Sequence, residues 1–201
     1  MVTQWFRNSN PSVVALRIGV TLFFVYMVNL SFLAHGDPVP GAMTALSLVR
    51  EGNFDLNEFA GTELGKALAW KEPTKLPYYA IQSRVPGKIV SVFGFGHSLV
   101  AAPVFFLANM LVENWSTVIL GFVAKTAASV IAGAAGGVMY LVLLSICADA
   151  GLALTFAFLF GLGTCVWSIS SHGLWQHGPI ELALACGLLA IQKKKWTWLG
   201  F

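Results

Sequence analysis

The chain has 201 residues, of which 57% are hydrophobic and 10% are charged, and its formal net charge is +3. About a quarter of the residues in an ordinary soluble domain are charged, so this composition excludes that class. The charges are also unevenly placed, with twelve of the 21 in residues 35–88 and only four in residues 89–192. The second half cannot provide a solvated surface. The sequence therefore predicts an all-α polytopic membrane helical bundle of four to five spans.

The cysteines and the basic residues exclude two further kinds of site. Cys147, Cys165 and Cys186 all lie in apolar segments, so they indicate no disulfide or metal framework. The basic block 193–195 is better explained as a topology signal than as a nucleic-acid patch. We therefore predict membrane lipids, and no nucleic acid, among the partners.

The first predicted span covers residues 12–34, close to the ~20 residues that a ~30 Å hydrocarbon core requires. It has no convincing signal-peptide cleavage pattern, so we interpret it as a retained anchor. An extracytoplasmic loop, residues 35–88, follows this span.

The loop is predicted to contain two juxtamembrane helices, because such amphipathic helices suit the headgroup plane. Residues 53–59 are typical of a turn, and residues 62–70 of a second short amphipathic helix. The first helix is indicated by apolar residues at helical spacing followed by a glycine stop signal, at Ala42, Ala45, Leu46, Val49 and Gly52.

Four further apolar runs lie at 89–112, 118–147, 151–168 and 179–192. Five crossings would put the basic block outside, against the positive-inside rule, whereas four crossings leave it in the cytoplasm. The first of these runs holds two glycines, a histidine and a central proline, so we interpret it as a re-entrant or interfacial segment. This map describes a multi-pass protein of the inner membrane with a cytoplasmic N-terminus.

The map places the polar interruption SSHGLWQHGP, residues 170–179, on the extracytoplasmic side. We expect all four histidines to gather there, namely His35, His97, His172 and His177. The chain ends with KKKWTWLGF, which is typical of the opening of another span. We therefore expect residues 1–201 to form a single transmembrane domain that is incomplete at its C-terminus, with residues 89–201 as its apolar helical region.

Several motifs, taken together, resemble one family of membrane enzymes. They are Gly36-Asp37 after the first span, ALSLVREGNFDLNEF at 45–59, PYY at 77–79, GKIVSVFGFGHSLVAAPVF at 87–105 and VWSISSHGLWQHGP at 166–179. Their order is similar to that in the N-terminal portion of the GT-C-type polytopic glycosyltransferases, a protein mannosyltransferase-like family that depends on polyprenyl-phosphate sugars. Two elements depart from the family pattern. VFGFG replaces its usual aromatic-proline sequence, and the basic residue often found shortly after the Gly36-Asp37 element is missing, since residues 41–45 read GAMTA.

The resemblance implies a bacterial inner-membrane enzyme that transfers a sugar from a polyprenyl-phosphate donor at the extracytoplasmic face. In the family, an acidic residue just after the first span acts as the general base, and Asp37 is the matching position. By position alone, Asp37 is also explained as a solvated cap at a helix end. The lipid-linked sugar is the predicted substrate, and a requirement for a divalent metal is left open.

Transfer from a lipid phosphate also needs cationic or donor groups near the departing phosphate, and Lys88 and Lys125 are the candidates. Lys125 lies inside the run 118–147, where an ionisable residue is costly and is a functional candidate by default. Its alternative role is snorkelling to the headgroups. For Lys88, an interfacial anchor is the simpler interpretation.

The polar interruption supplies the other candidate substrate-binding residues, His172, Trp175, Gln176 and His177. Imidazole and amide groups can hydrogen-bond a sugar or a pyrophosphate, and an indole can stack on a sugar ring or sit in the aromatic belt. The alternative is a tight turn whose side chains cap a helix beginning at Pro179. Two histidines five residues apart without carboxylates make a poor metal site, so no metal ligands are predicted.

Four other residues have structural interpretations. Gly133 and Gly137 form a small-xxx-small face for close helix packing, whereas Asp55 and Glu58 are predicted to be solvated.

At the level of function, two hypotheses stay open. The first is the glycosyltransferase, and the second is a non-catalytic structural subunit of GT-C origin, with other membrane subunits as its partners. The motif departure favours the second.

Overall fold

A computed structural model describes residues 10–33, 36–70 and 76–194. Over these residues the chain is mostly helical, as the sequence predicts. The helices are α1 (Pro11–Met27), α2 (Pro38–Glu51), α3 (Glu63–Lys66), α4 (Gly96–Asn109), α5 (Thr117–Cys147), α6 (Ala150–Gly163) and α7 (His177–Gln192). A 3-10 helix spans Asn57–Phe59 and a π-helix spans Val166–Ser170, and the strands are β1 (Ala80–Gln82) and β2 (Ile89–Ser91).

The described residues divide into two compact units. The helical unit contains residues 10–29, 129–171 and 177–194, and the mixed unit contains residues 30–33, 36–70, 76–128 and 172–176. Helix α5 therefore contributes residues to both units. The polar interruption 170–179 is also divided, because residues 172–176 belong to the mixed unit and its other residues to the helical unit. That the whole chain is one transmembrane domain stays a prediction.

The helices of the helical unit begin where the local sequence supplies caps. Asn10 caps α1 by accepting a 2.9 Å hydrogen bond from the backbone N of Ser12, and Pro11 takes the first helical position. Asp149 caps α6 through the backbone N of Leu152 at 2.8 Å. The apolar core of the unit contains Val14, Ala15, Ile18, Leu22, Tyr26, Ala132, Tyr140, Ala153, Ala157 and Val166.

Glycines allow the close helix packing predicted for this unit. A Cβ atom on Gly133 would lie 2.6 Å from the carbonyl oxygen of Gly19 in α1, and one on Gly137 would lie 2.5 Å from that of Ala15. Neither position has room for a side chain unless backbone moves. The small-residue interface is therefore confirmed, and its partner is α1.

Both predicted loop helices are present in the mixed unit. Gly52 ends α2 with a left-handed φ of 70°, and its N–H bonds to the carbonyl of Leu48 at 3.2 Å. The second helix, α3, is short, because only residues 63–66 are helical. Thr62 caps it by accepting from the backbone N of Gly65 at 3.2 Å.

A short two-stranded antiparallel sheet accompanies the helices. Ile81 of β1 lies opposite Val90 of β2, and Asp55 bridges to Val90 on the other edge of β2. The run 89–112, which we expected to be one re-entrant segment, therefore begins as a strand and becomes helical only at Gly96. A Pro-Gly pair in the connection between the strands provides the turn.

Among the described residues, α5 is the helix whose length and composition suit a membrane crossing, with a mean hydropathy of 2.2. The apolar helices α1, α4, α6 and α7 have 14 to 17 residues, or about 21–26 Å at ~1.5 Å per residue. The predicted span 12–34 is not helical over residues 28–33. The bundle of four to five spans stays a prediction.

Helices α2 and α4 pack through a glycine that leaves room for a histidine. Ser98 donates a 2.8 Å hydrogen bond from its Oγ to the carbonyl of Gly41. The buried ring of His97 fills the space in front of Gly41, and a Cβ atom added there would lie 2.0 Å from its Nε2. His97 is thus a packing residue of this helix pair.

We predict that Gly41→Ala lowers the melting temperature, whereas the same change made in a His97→Ala background does not. The added methyl overpacks the interface by about 1–3 kcal/mol, but without the ring only the better helix propensity of alanine remains. Thermal unfolding in detergent of wild type, both single variants and the double variant measures the coupling. Additive shifts would contradict this packing.

Candidate functional site

Asp37 occupies the N-cap position of α2 without capping the helix. Its backbone is right-handed helical, with φ −56° and ψ −33°, and its side chain makes no capping hydrogen bond. The carboxylate is partly exposed, and Asp37 raises the pKa of Tyr79. The cap interpretation is therefore wrong for this side chain, and the carboxylate is available to other groups.

Tyr79 is a site residue that the sequence analysis missed. The hydrogen bond to Asp37, followed by the charge of that carboxylate, raises the pKa of Tyr79, so the hydroxyl is a donor at neutral pH. The ring centroid of Tyr79 lies 5.7 Å from that of Phe93. The PYY motif drew attention to the region, but nothing in the sequence separates Tyr79 from its neighbour Tyr78.

The turn of residues 172–176 contacts the rest of the mixed unit through two hydrogen bonds to main-chain carbonyls. The backbone N of Leu33 donates to the carbonyl of His172 at 3.3 Å, and the side-chain amide of Gln176 donates to the carbonyl of Phe93. Gly173 allows close approach to α2, because a Cβ atom there would lie 3.2 Å from Cβ of Pro38. Gln176 thus has an observed structural role, while its predicted role in substrate binding stays a prediction.

These residues are neighbours of one another within the mixed unit. Asp37 raises the pKa of Tyr79, the ring of Tyr79 lies near that of Phe93, and the carbonyl of Phe93 accepts from Gln176. The turn that contains Gln176 then returns to the proline that follows Asp37. Trp175 lies on the same turn, with its Nε1 3.4 Å from the position of a Cβ on Gly173. Predicted site residues from distant parts of the sequence are therefore brought together.

Lys125 lies beside the turn and is fully buried, with an exposed fraction of 0%. Burial, and then the positive charge of Lys125, lower the pKa of His172. The imidazole is therefore neutral at pH 7 and offers a hydrogen-bonding group rather than a second positive charge. The snorkelling interpretation of Lys125 does not hold in this structure, because its ammonium does not reach the surface of the described chain.

Lys88 lies apart from Tyr79. It precedes β2 at the end of the hairpin that contains the turn, whereas Tyr79 precedes β1 at the open end. Its Nζ forms a 2.7 Å ion pair with Oδ2 of Asp55, whose side chain is only 9% exposed. We had expected Asp55 to be solvated, but it is buried and forms an ion pair with Lys88. Burial likewise raises the pKa of Glu58, which is only partly exposed. The predicted contact of Lys88 with phosphate stays a prediction.

The remaining histidines do not all fall in this site. His97 packs against Gly41 and is buried, and His177 belongs to the helical unit, where it starts α7 and is exposed. Helix α7 thus begins two residues before Pro179, which corrects the predicted boundary. His35 lies outside the described residues. Over the three described ranges, no group of three or more His, Cys, Asp or Glu side chains could hold a metal ion.

No family model, no curated protein and no solved structure matches this chain. The resemblance to the GT-C-type glycosyltransferases therefore stays a prediction that depends on the motifs. The site has to be interpreted from its own geometry.

We predict that Lys125→Met raises the pKa of His172. The change removes the repulsion from the ammonium, but burial remains and is the larger cause of the lowered value, so the pKa recovers only part of the way towards its usual range. Titration of histidine ring signals by NMR measures the shift, with His172→Gln used to assign the signal. Lys88→Met is the matched control and leaves the titration unchanged, because that lysine pairs with Asp55. An unaltered His172 in Lys125→Met would contradict the proximity.

Proposed function

We propose that this chain is a membrane glycosyltransferase of the GT-C type, which transfers a sugar from a polyprenyl-phosphate donor at the extracytoplasmic face. The observation that supports this function best is the composition of the mixed unit. There, a carboxylate held by a neutral donor and a buried lysine beside a neutral histidine are connected through one short turn. Such a set contains a base for an acceptor hydroxyl and a positive charge for a phosphate.

In the proposed reaction, Asp37 takes the proton of the acceptor hydroxyl as the acceptor oxygen attacks the anomeric carbon of the sugar. The bond between that carbon and the phosphate oxygen breaks, and its electron pair leaves with the polyprenyl phosphate. Lys125 stabilises the charge that develops there. Because its ammonium is buried, it acts through a low-dielectric surrounding in which its field is strong. His172, being neutral, donates a hydrogen bond to a phosphate or sugar oxygen.

We further propose that the chain is a multi-pass protein of the inner membrane. Support comes from α5 and from the large apolar side chains exposed on the other apolar helices, such as Leu16 at 67%, Leu159 at 57% and Leu184 at 63%. Soluble monomers rarely expose so much apolar surface. In this arrangement the N-terminus is cytoplasmic, and α4 does not cross the membrane.

We predict that Asp37→Asn abolishes sugar transfer, because an amide cannot accept the proton of the acceptor hydroxyl. Full-length protein is incubated with membranes and with polyprenyl-phosphate mannose, glucose or galactose, each radiolabelled in the sugar, and label in the lipid and protein fractions is measured. Glu63→Gln is the matched control, because this exposed carboxylate pairs with Lys66 outside the site, and it leaves transfer unchanged.

If Asp37→Asn transferred sugar as well as wild type, Asp37 would not be the base. Absence of transfer by wild type with every donor would instead favour the second hypothesis, a structural subunit of a larger membrane complex. The melting temperatures of both variants establish that a loss of transfer is not a loss of folding.

We predict that position 84 is labelled from outside the cell and position 194 is not. The three native cysteines are first replaced by alanine, and Arg84→Cys or Lys194→Cys is then introduced; both positions are exposed in the structure. Intact cells are treated with a membrane-impermeant maleimide, and lysed cells show that each cysteine is reactive. Labelling of position 194 alone in intact cells would invert the proposed topology.

A further inference from the structure

The hairpin of β1 and β2 has one face turned inward and one turned outward. Ala80 and Ser91 lie opposite each other across the two strands, and each of them is only 8% exposed. Successive side chains of a strand point to opposite faces. The neighbouring residues Ile81 and Val92 therefore belong to the other face, and they are 49% and 44% exposed. The inward face is buried in the mixed unit, whereas the outward face is open.

The outward face lacks the polar side chains that a water-exposed sheet carries. In an antiparallel sheet with one solvated face, the residues that point to the solvent are polar. Here Ile81 points outward, and its partner across the strands is Val90, which is partly exposed. The turn adds Val85, which is 59% exposed. Apolar side chains exposed side by side mark a surface that contacts a protein or a membrane.

A row of three aromatic rings continues this surface at the open end of the hairpin. The ring centroid of Tyr79 lies 5.7 Å from that of Phe93 and 6.3 Å from that of Tyr78. The backbone N of Val92 donates to the carbonyl of Tyr79 at 3.0 Å, which joins this row to the outward face. Tyr78 is 70% exposed. Tyrosine has an apolar ring and a polar tip, and it is enriched where a membrane meets water.

The turn end of the hairpin carries positive charge. Lys88 is paired with Asp55, but Arg84 is exposed and makes no ion pair with any residue in the three described ranges. A guanidinium group can donate two hydrogen bonds to one phosphate. Apolar, tyrosine and arginine side chains on one hairpin are the combination that suits the headgroup layer of a bilayer.

A membrane lies close to this hairpin because the mixed unit also contains the start of α5. Residues 117–128 of that helix belong to the unit, and α5 has the length and the hydropathy of a membrane crossing. With α5 across the bilayer, as proposed above, the mixed unit lies at the bilayer surface. The membrane is therefore a partner that every copy of the chain has within reach.

We propose that the outward face of the hairpin is a membrane-binding surface. Ile81, Val92 and the tyrosine rings enter the extracytoplasmic leaflet, whereas Arg84 stays at the level of the lipid phosphates, in contact with water. The hairpin thereby holds the mixed unit against the bilayer. This inference rests on the proposed membrane location of the chain and not on sugar transfer.

Nitroxide labels on single cysteines test the proposal. Protein without native cysteines receives Ile81→Cys, Gln82→Cys, Val130→Cys or Glu63→Cys, and each labelled variant is reconstituted into vesicles of phosphatidylcholine and phosphatidylglycerol. All four residues are exposed, so the label does not open the core. Power saturation of the EPR signal compares collisions with oxygen, which concentrates in lipid, and with a nickel chelate, which stays in water. Gln82 is the matched control, because it adjoins Ile81 on the other face of the strand.

We expect collisions with oxygen to exceed those with nickel at positions 81 and 130, and the reverse at positions 82 and 63. An excess of nickel collisions at position 81, with position 130 in lipid, would overturn the proposal and leave the membrane location standing. Few collisions with either reagent at position 81 would show that a protein covers this face, which would also overturn the proposal. An excess of nickel collisions at position 130 would overturn the membrane location and this inference together.

The place of Arg84 is tested through its charge. In vesicles that contain phosphatidylglycerol, we expect Arg84→Gln to raise the ratio of water-exposed to lipid-inserted label at position 81 about fivefold, since one basic residue contributes ~1 kcal/mol at an anionic surface. Lys66→Gln is the matched control and leaves the ratio unchanged, because this lysine pairs with Glu63. An equal ratio with and without the Arg84→Gln change would overturn the contact of Arg84 with anionic lipid.

Discussion

The attachment of residues 172–176 to the mixed unit is the constraint on which the candidate site depends. Two hydrogen bonds make it, and in both of them the acceptor is a carbonyl oxygen of the main chain, that of His172 for Leu33 and that of Phe93 for Gln176. Main-chain carbonyls are obligatory hydrogen-bonding groups, so both bonds also satisfy acceptors that would otherwise need another partner. Without this attachment His172 would leave Lys125, and Phe93 would lose the partner that holds it near Tyr79.

The charges of the site follow a simple arrangement. Asp37 is bound by a tyrosine that stays neutral, and Lys125 lies beside a histidine that stays neutral. Neither charge is cancelled by these two neighbours, which is what a base and a phosphate-binding cation require. Lys88 shows the contrast, because its ion pair with Asp55 stabilises the hairpin and uses its charge. The two lysines were both candidates for the phosphate, but their surroundings in the structure differ.

The parts of the fold that the sequence predicted are those with a strong local signal. The helix ending at Gly52 follows from spacing and a glycine stop, and the glycines of α5 follow from their four-residue interval. The strands were missed because each has three residues, too few for a period to show. The effect of Asp37 on Tyr79 could not be predicted, because the two residues are 42 positions apart and Tyr79 has a left-handed backbone that only tertiary contacts sustain.

The hydrogen bond between Leu33 and His172 also bears on the proposed topology, by an argument independent of the basic residues. Because this bond joins Leu33 to His172, the proposed topology must place these two residues on the same side of the membrane. An even number of crossings must then separate the two residues. If α5 crosses, and α6 with its π-helical extension returns, the count is already even, and α4 cannot cross as well. In the proposed topology, parity therefore keeps α4 from crossing.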